Sequence, residues 1–184
     1  FHGHIDNVVI WNRYLSESEI EYFTFGIDSL LSFDGIVASY SFNSGNGDIV
    51  YDRSGGQSHG DINGATWSLP ATPGENNSLS FDGDYDFVEL ADLGDPINAM
   101  TVQFWLKKSV NSDVAHIMGQ RGWASQYLHF DITDDTGDQS GQKIHFVING
   151  GVGNPSEDSV VVDDGWHNIA VTYENSTIKY YYDG

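Results

Sequence analysis

Short apolar runs recur along most of this chain, divided by turns rich in Gly, Asp and Asn, and this spacing constrains the fold more than any other feature. Such runs occur at Ile5–Trp11, Ile36–Phe42, Ser78–Phe81, Phe87–Leu90, Met100–Lys107, His116–Gly119, Tyr127–Ile132, Lys143–Ile148, Ser159–Val162, His167–Tyr173 and Thr177–Tyr182. Asp82-Gly83-Asp84 and Asn149-Gly150-Gly151 are typical of the turns between them. So many short strands at this spacing predict an all-β sandwich or barrel. One helix interrupts the pattern. Ser16 and Glu19 form a capping box, and Leu15, Ile20 and Phe23 give the segment a short apolar face. Glu17, Glu19 and Glu21 alternate as catalytic acids do on a strand, but on a helix they do not converge on one face.

Charge narrows the function. With 27 acidic against 7 basic side chains, the chain carries a net charge of -20. Binding to nucleic acid or to an anionic membrane surface needs an excess of Lys and Arg that this chain does not have. The apolar runs are also too short to span a bilayer. There is no cysteine, hence no disulfide framework and no thiolate nucleophile. The acids are mostly aspartates, which suit turns, caps and loop-built calcium sites.

The motifs, in their order, resemble the laminin-G-like domains of the concanavalin A-like lectin/glucanase superfamily, to which the pentraxins are related. Residues 1–16, ending in Val8-Val9-Ile10-Trp11-Asn12-Arg13-Tyr14-Leu15-Ser16, with Glu19-Ile20 after them, resemble the family's closing strand and helix. Val37-Ala38-Ser39-Tyr40-Ser41-Phe42 resembles its opening strand, and Asp52-Arg53-Ser54-Gly55 with His59-Gly60 its first long loop. Ser80-Phe81-Asp82-Gly83, Met100–Leu106, Trp166–Tyr173 and Tyr182-Asp183-Gly184 are similar to the hairpins and central strands that follow. The resemblance implies an antiparallel jelly-roll β-sandwich of concanavalin A-like type with one short helix. Because the closing elements come first, it further implies a cut through a tandem array. Residues 1–26 would close one domain, and residues 27–184 would open the next without its return strand. Circular permutation is the alternative. Ile5–Trp11 is expected to be paired in a sheet, and a neighbouring copy is favoured as its partner.

The resemblance also implies calcium. Asp52 is the leading ligand, followed by Asp6, whose strand lies next to the opening strand in such sandwiches, with carbonyls of Ser54 or His59 completing the shell. The competing role for Asp52 is to cap the turn at Ser54 and Gly55. Where the pentraxins place a ligating Asp-Asn pair, this chain has Ser125-Gln126, which weakens the case for a bridged ligand site of their kind. For glycans the best platform is Trp123, with Arg121 and Gln126 as polar contacts, because a sugar ring offers an apolar face beside its hydroxyls. The alternative is Trp123 packed on the sandwich edge. Trp11, Trp105 and Trp166 fall inside strand patterns and are read as core. Asp82, Asp84 and Asp86 are read as a solvated hairpin. His2 and His4 share a strand face without an identifiable third metal ligand. No nucleophile elbow or paired acids of a glycosidase are present. The expected function is thus a non-catalytic extracellular module for adhesion or for building a surface fibre from neighbouring copies, stabilised by Ca2+. The alternative is a carbohydrate-binding module attached to a secreted polysaccharide-degrading enzyme.

Overall fold

The computed structural model describes residues 1–24, 34–69, 77–91, 93, 99–109, 115–119, 129–134, 142–148, 151–152 and 164–184. Fourteen strands and one helix fall within them. In chain order they are β1 (His2–Trp11), α1 (Glu17–Thr24), β2 (Ile36–Tyr40), β3 (Ile49–Val50), β4 (Gly60–Asn63), β5 (Thr66–Ser68), β6 (Ser78–Asp82) and β7 (Phe87–Leu90). There follow β8 (Ala99–Lys108), β9 (Ala115–Gly119), β10 (His129–Asp134), β11 (Gln142–Ile148), β12 (Gly151–Val152), β13 (Trp166–Glu174) and β14 (Thr177–Tyr182). The run expected at Ser159–Val162 lies outside the described residues.

A large antiparallel sheet runs β14-β13-β8-β1-β6-β5, with β2 also paired to β1. A second sheet runs β12-β11-β10-β9, and a small third one runs β3-β4-β7. Their inner faces meet in one core, where Ile5, Leu79, Val102, Phe104, Leu106 and Ile169 of the large sheet face Phe130, Ile132, Ile144 and Phe146 of the second. Phe104 and Phe130 meet edge to face at 5.8 Å. Alternation along each strand puts the intervening residues on the outer faces.

β1 sits in the interior of the large sheet. One edge pairs with β8 from Gly3 to Trp11, while the other pairs with β6 over His2–Ile5 and with β2 over Val8–Trp11. The pairing is therefore made within the chain itself, where the sequence favours a neighbouring copy. The strand that precedes α1 finds both edges it needs in residues 36–108. A bulge at Asn7, whose φ is +52°, shifts the register between Asp6 and Val9. The inserted residue turns Ile5, Val8 and Ile10 all toward the core and leaves Val9 and Trp11 facing outward.

That outer face is covered by α1. Trp11, Val9, Leu15, Ile20, Phe23 and Ala170 form a second apolar cluster, in which Trp11 is fully buried and stacks on Phe23 at 5.4 Å. The capping box forms as expected: Glu19 accepts from Ser16 N–H at 2.8 Å, and Ser16 Oγ accepts from Glu19 N–H at 3.4 Å. Arg13 also pairs with Glu19 at 2.9 Å. The C-terminal turn of α1 is tied down by polar groups. Gln103 donates to Asn168 Oδ1 at 2.7 Å and to the Ile20 carbonyl at 3.3 Å, and Thr24 Oγ1 donates to the same carbonyl at 3.0 Å.

Candidate functional site

Past the end of α1, the outer face of the large sheet carries two cross-strand rows of polar and aromatic side chains. Residues directly opposite in an antiparallel ladder share a face. One row runs Trp166, Lys107, His4, Ser80 and Thr66 across β13, β8, β1, β6 and β5. The adjoining row holds Asn168, Trp105 and Asp6, with Ser78 next to them on β6. The alternation that buries Ile5, Leu79, Phe104 and Leu106 inside is what turns these side chains outward.

Exposure separates the two rows. Trp166, Lys107, His4 and Ser80 are half-buried and Thr66 is exposed, whereas Asp6, Ser78 and Asn168 are buried. Trp105 is half-buried. Trp105 and Trp166, read from the sequence as core, thus stand on the outer face, and only Trp11 is fully buried. The imidazole of His4 lies 6.1 Å from the Trp166 ring, tilted by 51°. Burial, and then the charges of Lys107 and His2, push the His4 pKa down, so its ring is neutral at pH 7. His4 Nδ1 and Ser78 Oγ are buried without a hydrogen-bond partner, so this face has unmet hydrogen-bonding capacity. An apolar ring beside a neutral imidazole, a hydroxyl and an ammonium can hold a molecule that is flat and apolar on one side and hydroxylated at its edges.

The expected calcium residues divide. Asp52, Ser54 and His59 do come together, but as a closed hydrogen-bonded turn. Asp52 Oδ1 accepts from Ser39 N–H at 3.0 Å and Ser54 N–H at 2.8 Å. Its Oδ2 accepts from Ser54 Oγ–H at 2.8 Å and Ser58 N–H at 3.1 Å. The Asp52 N–H in turn donates to His59 Nδ1 at 3.0 Å. Burial acts to raise the Asp52 pKa, yet the donors from Ser54, Ser39 and Ser58 outweigh it and hold the carboxyl below the ordinary aspartate range. Calcium wants six to eight oxygens with lone pairs to give, and here both carboxylate oxygens already serve two donors each. The donor set does not fit that ion; it fits the capping role. Asp6 stands apart in β1, opposite Trp105. Among the described residues no three His, Asp or Glu side chains are arranged to hold a metal.

Asp82 and Asp86 likewise serve their own turn. Asp82 N–H donates to Asp86 Oδ2 at 2.7 Å, and Asp84 N–H donates to Asp82 Oδ1 at 2.8 Å. Trp123, Arg121 and Gln126 lie outside the described residues, as does Ser125.

A sequence profile described as Concanavalin A-like lectin/glucanases superfamily, of laminin G type, matches residues 82–184, more than half of the chain. The chain belongs to that superfamily. The matched residues begin at the end of β6 and supply β8, β13 and β14, so this superfamily member draws Trp105, Lys107, Trp166 and Asn168 of the two rows from the matched part. His4, Asp6, Ser78 and Ser80 come from residues before it. Neither a curated protein nor a solved structure matches the chain. Its architecture is that of a lectin-like β-sandwich module. No helix among the described residues is long and apolar enough to cross a membrane.

Alternation could have found Trp105, which sits between the core residues Phe104 and Leu106, whereas Trp166 opens β13 three residues before the core residue Ile169. The signal that was missed is that β8 is apolar on both faces over part of its length.

Proposed function

We propose that this module binds neutral glycans on the outer face of its large sheet and acts without catalysis, as an extracellular adhesion module. The observation that carries the reading is the half-buried Trp166 beside His4, Lys107 and Ser80 in one cross-strand row. A hexopyranose ring stacks its apolar face on an indole and directs its hydroxyls to the flanking polar groups. Neutral glycans are favoured over anionic ones because a chain of net charge -20 repels polyanions at long range. Calcium stabilisation is not part of the proposal at Asp52, whose oxygens are already engaged. Fibre building by strand exchange also has little support, since β1 has both edges paired within the chain.

The test is a glycan array followed by calorimetry on the best neutral ligand. Trp166→Ala should weaken binding at least tenfold while the fold is retained, because a half-buried outer-face side chain contributes less to stability than a core aromatic. Undiminished binding by a folded Trp166→Ala protein would sink the proposed surface.

A further inference from the structure

The outer face of the second sheet gathers three of the chain's seven histidines around one carboxylate. Asp131 on β10 is directly opposite His116 on β9 and His145 on β11, and His129 lies two residues before it on the same face. Their neighbours Phe130, Ile132, Ile144 and Phe146 point into the core, which places all four polar side chains outside. His116 Nδ1 contacts Asp131 Oδ1, and His129 Nε2 lies 3.4 Å from Asp131 Oδ2. The Asp131 side chain is only 10% exposed, against 61% for His116 and 36% for His129.

We propose that His116, His129, His145 and Asp131 form a binding site for a divalent transition metal of the zinc, copper or nickel class. Imidazole nitrogens with one carboxylate suit these ions and do not suit calcium or magnesium, which take oxygen ligands. The His129–Asp131 separation is long for a hydrogen bond. It equals the edge of a tetrahedron drawn around an ion with bonds of about 2.0–2.1 Å, which is about 3.4 Å. As the side chains stand, no three donors surround a common point. His116 instead closes on Asp131, and the ion takes the place of that contact, the neutral imidazole giving it the lone pair of one ring nitrogen and keeping its proton on the other. The third nitrogen is that of half-buried His145, which must change its side-chain rotamer to join the other two. Direct cross-strand opposition keeps the β-carbons about 4.5–5.5 Å apart, close enough for both flanking rings to reach one ion.

Calorimetric titration of the whole chain with zinc, and the visible spectrum of the cobalt(II) form, test this. One-to-one saturable zinc binding is expected, with a tetrahedral cobalt spectrum and no comparable heat from calcium or magnesium. His116→Ala, His145→Gln and Asp131→Asn should each weaken zinc at least tenfold. The far-ultraviolet dichroism of the metal-free proteins is compared first, and His116→Ala, at the most exposed of the measured positions, serves if the others fail to fold. Absence of saturable zinc binding overturns the proposal. So does binding that survives unchanged in folded His116→Ala and Asp131→Asn proteins, since the ion would then sit on other histidines.

Discussion

Replacing Asp52 by Asn keeps the size of the side chain and changes only which of its atoms accept. Oδ1 continues to accept from Ser39 and Ser54, but the new amide sets N–H groups against Ser54 Oγ–H and Ser58 N–H. Ser54 Oγ can still donate to the Val37 carbonyl at 3.2 Å, so part of its loss is recovered. Hydrogen bonds to a charged acceptor contribute about 1.5–3 kcal/mol each, and losing one fully and one in part costs about 2–3 kcal/mol. Unfolding entropy of about 2.1 cal/mol/K per residue over 184 residues gives about 0.39 kcal/mol/K, so Tm should fall by about 5–8 °C. The native carboxyl has a lowered pKa. Its stabilisation is therefore complete above the ordinary aspartate value and is lost as pH falls through the native one. The difference between wild type and Asp52→Asn should accordingly shrink as pH is lowered from about 4. Thermal melts followed by circular dichroism, at pH 7 and at steps below pH 4, supply both readings. The same melts with calcium and with chelator should give the same difference. A variant within 0.5 kcal/mol of wild type at pH 7 would refute the hydrogen-bonded hub. A difference that appears only with calcium would show that an ion, not the turn, holds Asp52.

Two further substitutions test the fold around the site. Phe23→Ala removes the ring stacked on Trp11 and should cost about 3–5 kcal/mol by chemical denaturation, the range for a buried aromatic. A cost under 1 kcal/mol would mean that α1 is not held to the sheet as described. Gly64→Ala should cost about 1–3 kcal/mol in the same assay. Its φ is +80°, and a β-carbon there would meet Asp86 Oδ1 at 2.1 Å. A neutral Gly64→Ala would show that the 82–86 turn yields easily.

The ends of the long strands were legible because their alternation is long and their turns are rich in Gly and Asp. β7 and β14 match the expected runs, and β8 and β13 extend theirs by a residue at each end. β3, β4 and β5 were not anticipated, since Ile49-Val50, Gly60-Asp61-Ile62-Asn63 and Thr66-Trp67-Ser68 are too short or too polar to display a period. The face of Trp11 depended on the Asn7 bulge, and one inserted residue reverses every later side chain in the strand. Nothing local in His2–Trp11 announces that reversal, because Val8, Val9, Ile10 and Trp11 are apolar on both faces. The Asp52 turn was legible as a place and not as a chemistry. The motif shows a carboxylate at a loop, while the identity of its partners depends on Ser39 arriving from another strand.

The place of β1 has a consequence for how the chain is made. Ile5 is paired with Leu106, roughly a hundred residues later, so β1 leaves the ribosome with no partner on its β8 edge until β8 follows it. At synthesis rates of about 5–20 residues per second that interval is about 5–20 s. Throughout it the apolar stretch Val8–Trp11 must be kept from other nascent chains, with only α1, and later β2 and β6, to shelter it. β1 is made before every strand it pairs with, and it is locked into the sheet only when the last of them arrives.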